Sequence, residues 1–180
     1  MTLEILPARP EDCETISSLI HALAAYEKLS ESCRATPEKI REALFCASPT
    51  AHCLLAWESS GGARRPVAFA LYFFNFSTFE ACKGLYLEDL FVVPEARGSG
   101  VGTAMIRHLA GIAQSERCAR LEWVVLDWNT SAQAFYKKLG AEILTNWWLC
   151  RVSGPGIGRC AGQGSEEGAG PCQSGIPDRS

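Results

Sequence analysis

The feature that most constrains the fold is a strand that runs straight into three alternate glycines and then a helix. The stretch reads Glu88-Asp89-Leu90-Phe91-Val92-Val93-Pro94-Glu95-Ala96-Arg97-Gly98-Ser99-Gly100-Val101-Gly102-Thr103. Glycines let the backbone turn tightly and approach a ligand, while the unpaired N–H groups of a helix start point outward, which suits a pyrophosphate. A P-loop would need Gly-Lys-Ser/Thr, and this loop lacks it. A dinucleotide fold would use Gly-x-Gly-x-x-Gly after the first strand of a parallel unit; here the spacing is Gly-x-Gly-x-Gly and three strands come first. On their own, the glycines fit a turn without any ligand equally well.

Around this turn the periodicities alternate. Leu3–Leu6 reads as a short strand, and Pro10-Glu11-Asp12 opens a helix carrying Ile16, Leu19, Ile20 and Leu23 at helical spacing. Thr36-Pro37-Glu38 starts a second helix. Three β-rich runs follow, 53–57, 67–76 and 85–93, separated by Gly61-Gly62 and by Lys83-Gly84. After the glycine loop, Val101, Met105, Leu109, Ile112 and Ala113 share a helix face. A strand over 121–126, a helix over 131–139 ended by Gly140, and a last strand over 143–152 complete the order β-α-α-β-β-β-α-β-α-β. That order predicts an α/β fold: a mixed, mostly antiparallel sheet with helices on both faces.

Composition sets the outer limits. From Gly154 to Ser180 the chain carries eight of its 16 glycines, three prolines and no aromatic residue, too little apolar surface to offset the entropy of ordering. The expectation is one domain over 1–152 and a disordered tail over 153–180. With 17 basic against 20 acidic residues and a net charge of -3, nothing favours nucleic acid, and no basic run marks a membrane surface. No apolar stretch approaches a membrane span and the first residues hold no signal core, so a cytoplasmic protein is expected. The nine cysteines form no C-x-x-C pair, and only His52-Cys53 bring a histidine beside a thiol. Most of them read as buried thiols, neither a metal site nor a disulfide framework.

Arg97-x-x-Gly100-x-Gly102 after such a strand resembles the acetyl-CoA motif of the GNAT N-acetyltransferase superfamily, and the likeness in element order extends over roughly 3–152. A second motif agrees: Asn129-Thr130-Ser131-Ala132-Gln133-Ala134-Phe135-Tyr136-Lys137-Lys138-Leu139-Gly140 is similar to the family's Asn-x-x-Ala-x-x-Phe-Tyr-x-x-x-Gly. The resemblance implies that Gly98, Ser99, Gly100, Val101, Gly102 and Thr103 offer backbone N–H groups to the pyrophosphate of acetyl-CoA. It implies that Leu90, Phe91 and Val92 pair with the pantetheine arm, that Asn129, Ala132 and Tyr136 also contact the cofactor, and that Arg97 stabilises the loop or a phosphate. Tyr26-Glu27-Lys28-Leu29, Leu85-Tyr86-Leu87-Glu88-Asp89 and Trp128-Asn129 further resemble the diamine (spermidine/spermine) and thialysine acetyltransferase branch. Ser77-Thr78-Phe79 stand where the polyamine enzymes tend to carry an acid and a tryptophan, and there the thialysine-type members are closer.

Acetyl transfer to an amine needs a neutral amine, although a free alkylammonium has a pKa of about 10. It also needs an oxyanion site and a proton for the departing thiolate. Tyr136 matches the family's general acid; the competing role is a core aromatic beside Phe135 and Leu139. Glu88 and Asp89 stand in an apolar strand, where consecutive side chains are expected to face opposite sides, so one of them should face the cleft. A buried carboxylate needs a partner, and a cationic substrate would be one. By resemblance Glu88 takes the amine proton, directly or through water, and Tyr26, Glu27 and Asp89 line the amine pocket. The implied activity is direct acetylation of a small cationic amine by a homodimer that uses no metal. A peptide or protein acetyltransferase and a catalytically silent acetyl-CoA-binding module are the alternatives.

Overall fold

The structure, a computed structural model, describes residues 2–163. The chain divides into two compact units, Met1–Leu139 and Gly140–Ser180.

The first unit is built on a five-stranded sheet in the order β1-β2-β3-β4-β5: β1 (Thr2–Pro7), β2 (His52–Ser60), β3 (Ala63–Ser77), β4 (Cys82–Val92) and β5 (Leu121–Glu122). The first four strands pair antiparallel in sequence order. Only β5 joins in parallel, through Leu85↔Leu121 and Tyr86↔Glu122. Between the strands run α1 (Cys13–Tyr26), α2 (Pro37–Leu44), α3 (Val101–Ser115) and α4 (Thr130–Lys138). This is the mixed, mostly antiparallel sheet with helices on both faces that the periodicities predict.

Alternation along the strands sorts the side chains into two cores. Cys53 and Leu55 of β2, Phe69 of β3 and Phe91 of β4 meet Cys13, Ile16 and Leu19 of α1 and Ile40 of α2. On the opposite face, Leu54 and Ala56, Ala68 and Ala70, and Leu85 and Leu87 meet Val101, Met105, Leu109 and Ala113 of α3. Helix starts follow from local chemistry. Thr36 Oγ1 accepts from Lys39 N ahead of Pro37, and Asn129 Oδ1 accepts from Ala132 N at the start of α4.

Two sequence expectations are corrected. The strand expected over 121–126 pairs only at Leu121–Glu122, because beyond them β5 leaves β4. The strand expected over 143–152 does not form. Trp147, Trp148 and Leu149 are apolar at consecutive positions, so no alternation gives them one face to bury, and Trp148 is 88% exposed. The described part of the second unit instead carries a short helix, α5 (Pro155–Cys160). The tail expected over 153–180 lies mostly outside the described residues.

Helix α3 ends in a Schellman arrangement: Cys118 N donates to Ala113 O and Arg117 N to Gln114 O, with Arg117 at φ 54. That position favours glycine, since a Cβ crowds the backbone in the left-handed region. Arg117→Gly is expected to stabilise the fold by about 0.5–1 kcal/mol, net of glycine's extra unfolded-state entropy. Thermal unfolding should show a rise of roughly 2–4 °C per kcal/mol; a fall would mean that the arginine side chain makes a larger contribution than the strain costs.

Candidate active site

The glycine loop leaves β4 through one 3-10 turn, Pro94–Ala96. Gly98 (φ 77) and Gly100 (φ 92) take left-handed conformations that a side chain would strain. A Cβ at either would meet nothing within 4 Å, so both backbones face open space. Gly100 is the N-cap of α3 and offers no side-chain cap, leaving the first-turn N–H groups turned outward. Ser99 Oγ donates to Ala96 O at 2.7 Å, closing the loop on itself. Gly102 is small for another reason: a Cβ there would lie 3.3 Å from Phe135 Cζ, so it lets α4 approach α3.

Arg97 braces the loop. Its Nε donates to Val92 O at 3.0 Å, and its guanidinium stacks on Tyr26 at 4.5 Å and Phe91 at 5.6 Å. Tyr26 in turn touches the Trp128 ring, with centroids 6.2 Å apart. The end of α1, the glycine loop and the turn before α4 are thereby joined through one cation.

The acids in β4 are arranged by a bulge. Asp89 pairs with Leu71 and Leu87 with Tyr72, so Glu88 is an extra residue without a partner on β3. Leu85 and Leu87 before it, and Leu90 and Val92 after it, all belong to the α3-side core, while Phe91 belongs to the α1 side. The inserted residue therefore leaves Glu88 and Asp89 on the same face, the one covered by α1 and α2. The sequence expectation of opposite faces is corrected by this bulge. Glu88 is exposed and lines a cavity of ≈ 390 Å³ with Leu71, Phe73 and residues of α1 and α2. Asp89 is half-buried; burial first, then the charges of Glu88 and Glu27, push its carboxyl up to about 6.

Tyr136 sits across the opening. Beyond Tyr86 and Glu122 the two parallel strands hold no further pairs, so residues 87–92 keep one edge of β4 unpaired by β5. Tyr136 packs against Trp123 (4.8 Å) and Phe135 (5.1 Å). Burial, then the charges of Asp89 and Glu27, push its phenol up to about 12. The hydroxyl therefore stays protonated at neutral pH, a proton donor in a field of carboxylates. Glu27, which caps α1, has its carboxyl raised by burial. Glu27, Asp89 and Tyr136 thus share one electrostatic environment. Asn129 uses its side-chain oxygen on the α4 N-terminus, accepting from Ala132 N and Ser131 Oγ.

His52 and Cys53 carry no such chemistry. The imidazole packs on Tyr72 and Phe74, and burial pushes the Cys53 thiol up to about 12, far from a reactive thiolate. Sequence reasoning missed Arg34 and Lys39, which line the same cavity as Glu88. Their only sequence signal is two cations in and beside the loop before α2.

Comparison with known proteins gives a consistent picture. The model of the acetyltransferase (GNAT) family matches residues 18–141. Thialysine N-epsilon-acetyltransferase of Bos taurus is 39% identical over 166 residues, covering 88% of this chain and 97% of that protein. Human spermidine/spermine N(1)-acetyltransferase-like protein 1 is 30% identical over 156 residues, covering 83% of this chain and 22% of its own length. Among solved structures, an integron cassette protein from the mobile metagenome of V. cholerae superposes with a TM-score of 0.74 at 26% identity, covering 89% of this chain and 98% of that one.

The Asp89 environment has a consequence for stability. The folded protein holds this proton more tightly than the unfolded chain, so the group's contribution is fully present in acid and is lost as pH rises from about 4 to about 6. Asp89→Asn should flatten the pH dependence of the melting temperature in that window and stabilise the protein at mildly alkaline pH by roughly 1–3 kcal/mol. An unchanged pH dependence would place the carboxylate in water.

Proposed function

The chain belongs to the GNAT acetyltransferase family, and from that premise we propose that it moves the acetyl group of acetyl-CoA directly onto the primary amine of a small cationic substrate of the thialysine or diamine class. What carries this reading is one conjunction. A proton donor, Tyr136, and an acid pair on a bulge, Glu88-Asp89, flank the place where β4 loses its neighbour, and the glycine loop begins at the end of the same strand. The loop fits the cofactor, since Gly98 and Gly100 face open space and the α3 N-terminus is uncapped.

When bound, acetyl-CoA supplies a thioester whose carbonyl carbon the amine attacks. The backbone N–H groups of Gly98 to Thr103 would hold its pyrophosphate, and the free edge at Leu90, Phe91 and Val92 would pair with its extended arm. The N–H groups of that edge would also be the donors available to the thioester oxygen. Glu88 meets the ammonium from the cavity and takes its proton directly or through water. Burial, then the charges of Glu88 and Glu27, hold the Asp89 carboxyl high, so this end of the strand retains a proton readily. Burial first, then the charges of Asp89 and Glu27, keep the Tyr136 hydroxyl protonated, so it has a proton to give to the leaving sulfur. Tyr26 and Glu27, at the end of α1, bound the amine side. The same reading takes 1–152 as the transferase domain with 153–180 appended, and a homodimer in the cytoplasm as the working form.

Tyr136→Phe removes only the hydroxyl, so acetyl-CoA affinity should hold while turnover falls by ~10²–10⁴-fold. Turnover that does not change would mean that water protonates the thiolate. Glu88→Gln should lose rate mainly at neutral pH and recover partly as rising pH deprotonates the amine in solution. A uniform loss across the pH range would assign Glu88 to binding instead. Gly100→Glu should abolish acetyl-CoA binding, measured by calorimetry, with a native circular dichroism spectrum; retained affinity would remove the loop from the cofactor site.

A further inference from the structure

The cavity beside Glu88 holds charges of both signs, and they do not neutralise one another. Ile20 of α1, Ile40 and Ala43 of α2, and Leu71 and Phe73 of β3 form an apolar wall. Glu88 borders it on the sheet side, and Arg34 and Lys39 border it on the side of α2. Among the described residues no carboxylate lies within ion-pair distance of either cation, and no cation lies that close to Glu88. Arg34 is anchored instead by its own loop: Nη1 donates to Glu31 O at 2.7 Å and to Cys33 O at 3.3 Å. Lys39 Nζ donates to the backbone oxygen of Arg34 at 3.2 Å, so the lysine is tied to the same loop, and both cations line the one cavity.

We propose that Arg34 and Lys39 bind the carboxylate of an α,ω-diamino acid whose distal ammonium reaches Glu88, and that they set the preference for such a substrate over a simple diamine. The proposal rests on the acetyltransferase reading of this cleft. Its argument is charge order. A ligand with an anionic head, a short apolar stem and a cationic end matches two cations, an apolar wall and a carboxylate in sequence. A diamine of the same length would bring its second ammonium against two like charges, which lowers its affinity. The α-amino group of the diamino acid stays in water at the mouth, where both cations are exposed. A guanidinium tethered through one nitrogen keeps its other donors free for a carboxylate in fork geometry.

The test compares thialysine with its decarboxylated analogue, which keeps the thioether stem and both amines. Steady-state kinetics with acetyl-CoA should give the wild type a lower KM for thialysine than for the analogue. Lys39→Met should cut the ratio of the two KM values by roughly tenfold, the worth of one charge-assisted hydrogen bond in a partly wet site. Arg34→Gln should do the same or more. Because Arg34 also ties its loop, Lys39→Met decides the matter if the arginine variant unfolds. A ratio that both variants leave untouched overturns the proposal. Wild type that acetylates neither compound would sink the proposed activity alone. Calorimetric binding of thialysine and of its analogue then tests the cation pair by itself: carboxylate-dependent affinity lost in Lys39→Met supports it, and equal affinity for the two compounds in the wild type refutes it.

Discussion

The site depends on where the pairing between β4 and β5 stops. A parallel pair normally continues for several residues, but this one holds two, Leu85↔Leu121 and Tyr86↔Glu122. From Leu87 onward the strands part while β3 continues to hold β4 from the other side. The bulge at Glu88 falls at the parting, where extra twist is cheapest. An opened sheet would be a defect if its backbone had nothing to bond. Here the free edge ends in the glycine loop, so unpaired strand and unpaired helix start lie along one continuous line of backbone donors.

Much of this was legible in the sequence, for physical reasons that differ by element. The glycine loop could be read because alternate glycines are costly anywhere that does not need left-handed backbone, and Gly98 and Gly100 need it. The helices could be read because Thr36-Pro37 and Asn129 are caps whose chemistry is local. The facing of Glu88 and Asp89 could not. A bulge is a difference in count between two strands far apart in sequence, and period-two reasoning on one strand cannot see it. The Arg34–Lys39 pair was hidden for a related reason: its significance lies in having no carboxylate within ion-pair distance among the described residues, and that is a property of the folded surface. The apolar run at 147–149 misled because high β-propensity reports a preference for a covered surface, without saying whether one is supplied.

The electrostatics of the cleft are costly to the fold. Burial first, then the charges of Glu88 and Glu27, raise the proton affinity of Asp89, and burial, then Asp89 and Glu27, hold Tyr136 high. Apolar residues of similar volume would give a more stable domain. Such clustering of like charge in a partly buried place is what a cationic ligand relieves, and the same carboxylates therefore work against the empty fold and for the occupied one. The buried thiol at Cys53 shows the opposite case: its shift is as large, but it faces only the α1-side core and has nothing to react with.

Arg97 joins these parts in a way that bears on how two ligands communicate. A single guanidinium holds Val92 O at the end of β4, the ring of Phe91 and the ring of Tyr26 at the end of α1. Any shift of the loop is therefore felt at the end of α1, and any shift of that helix is returned to the loop. In thermodynamic terms the two halves of the cleft are linked, and the coupling free energy is the same in both directions. Whatever occupies one half of the cleft is thereby weighed against the other through one shared side chain.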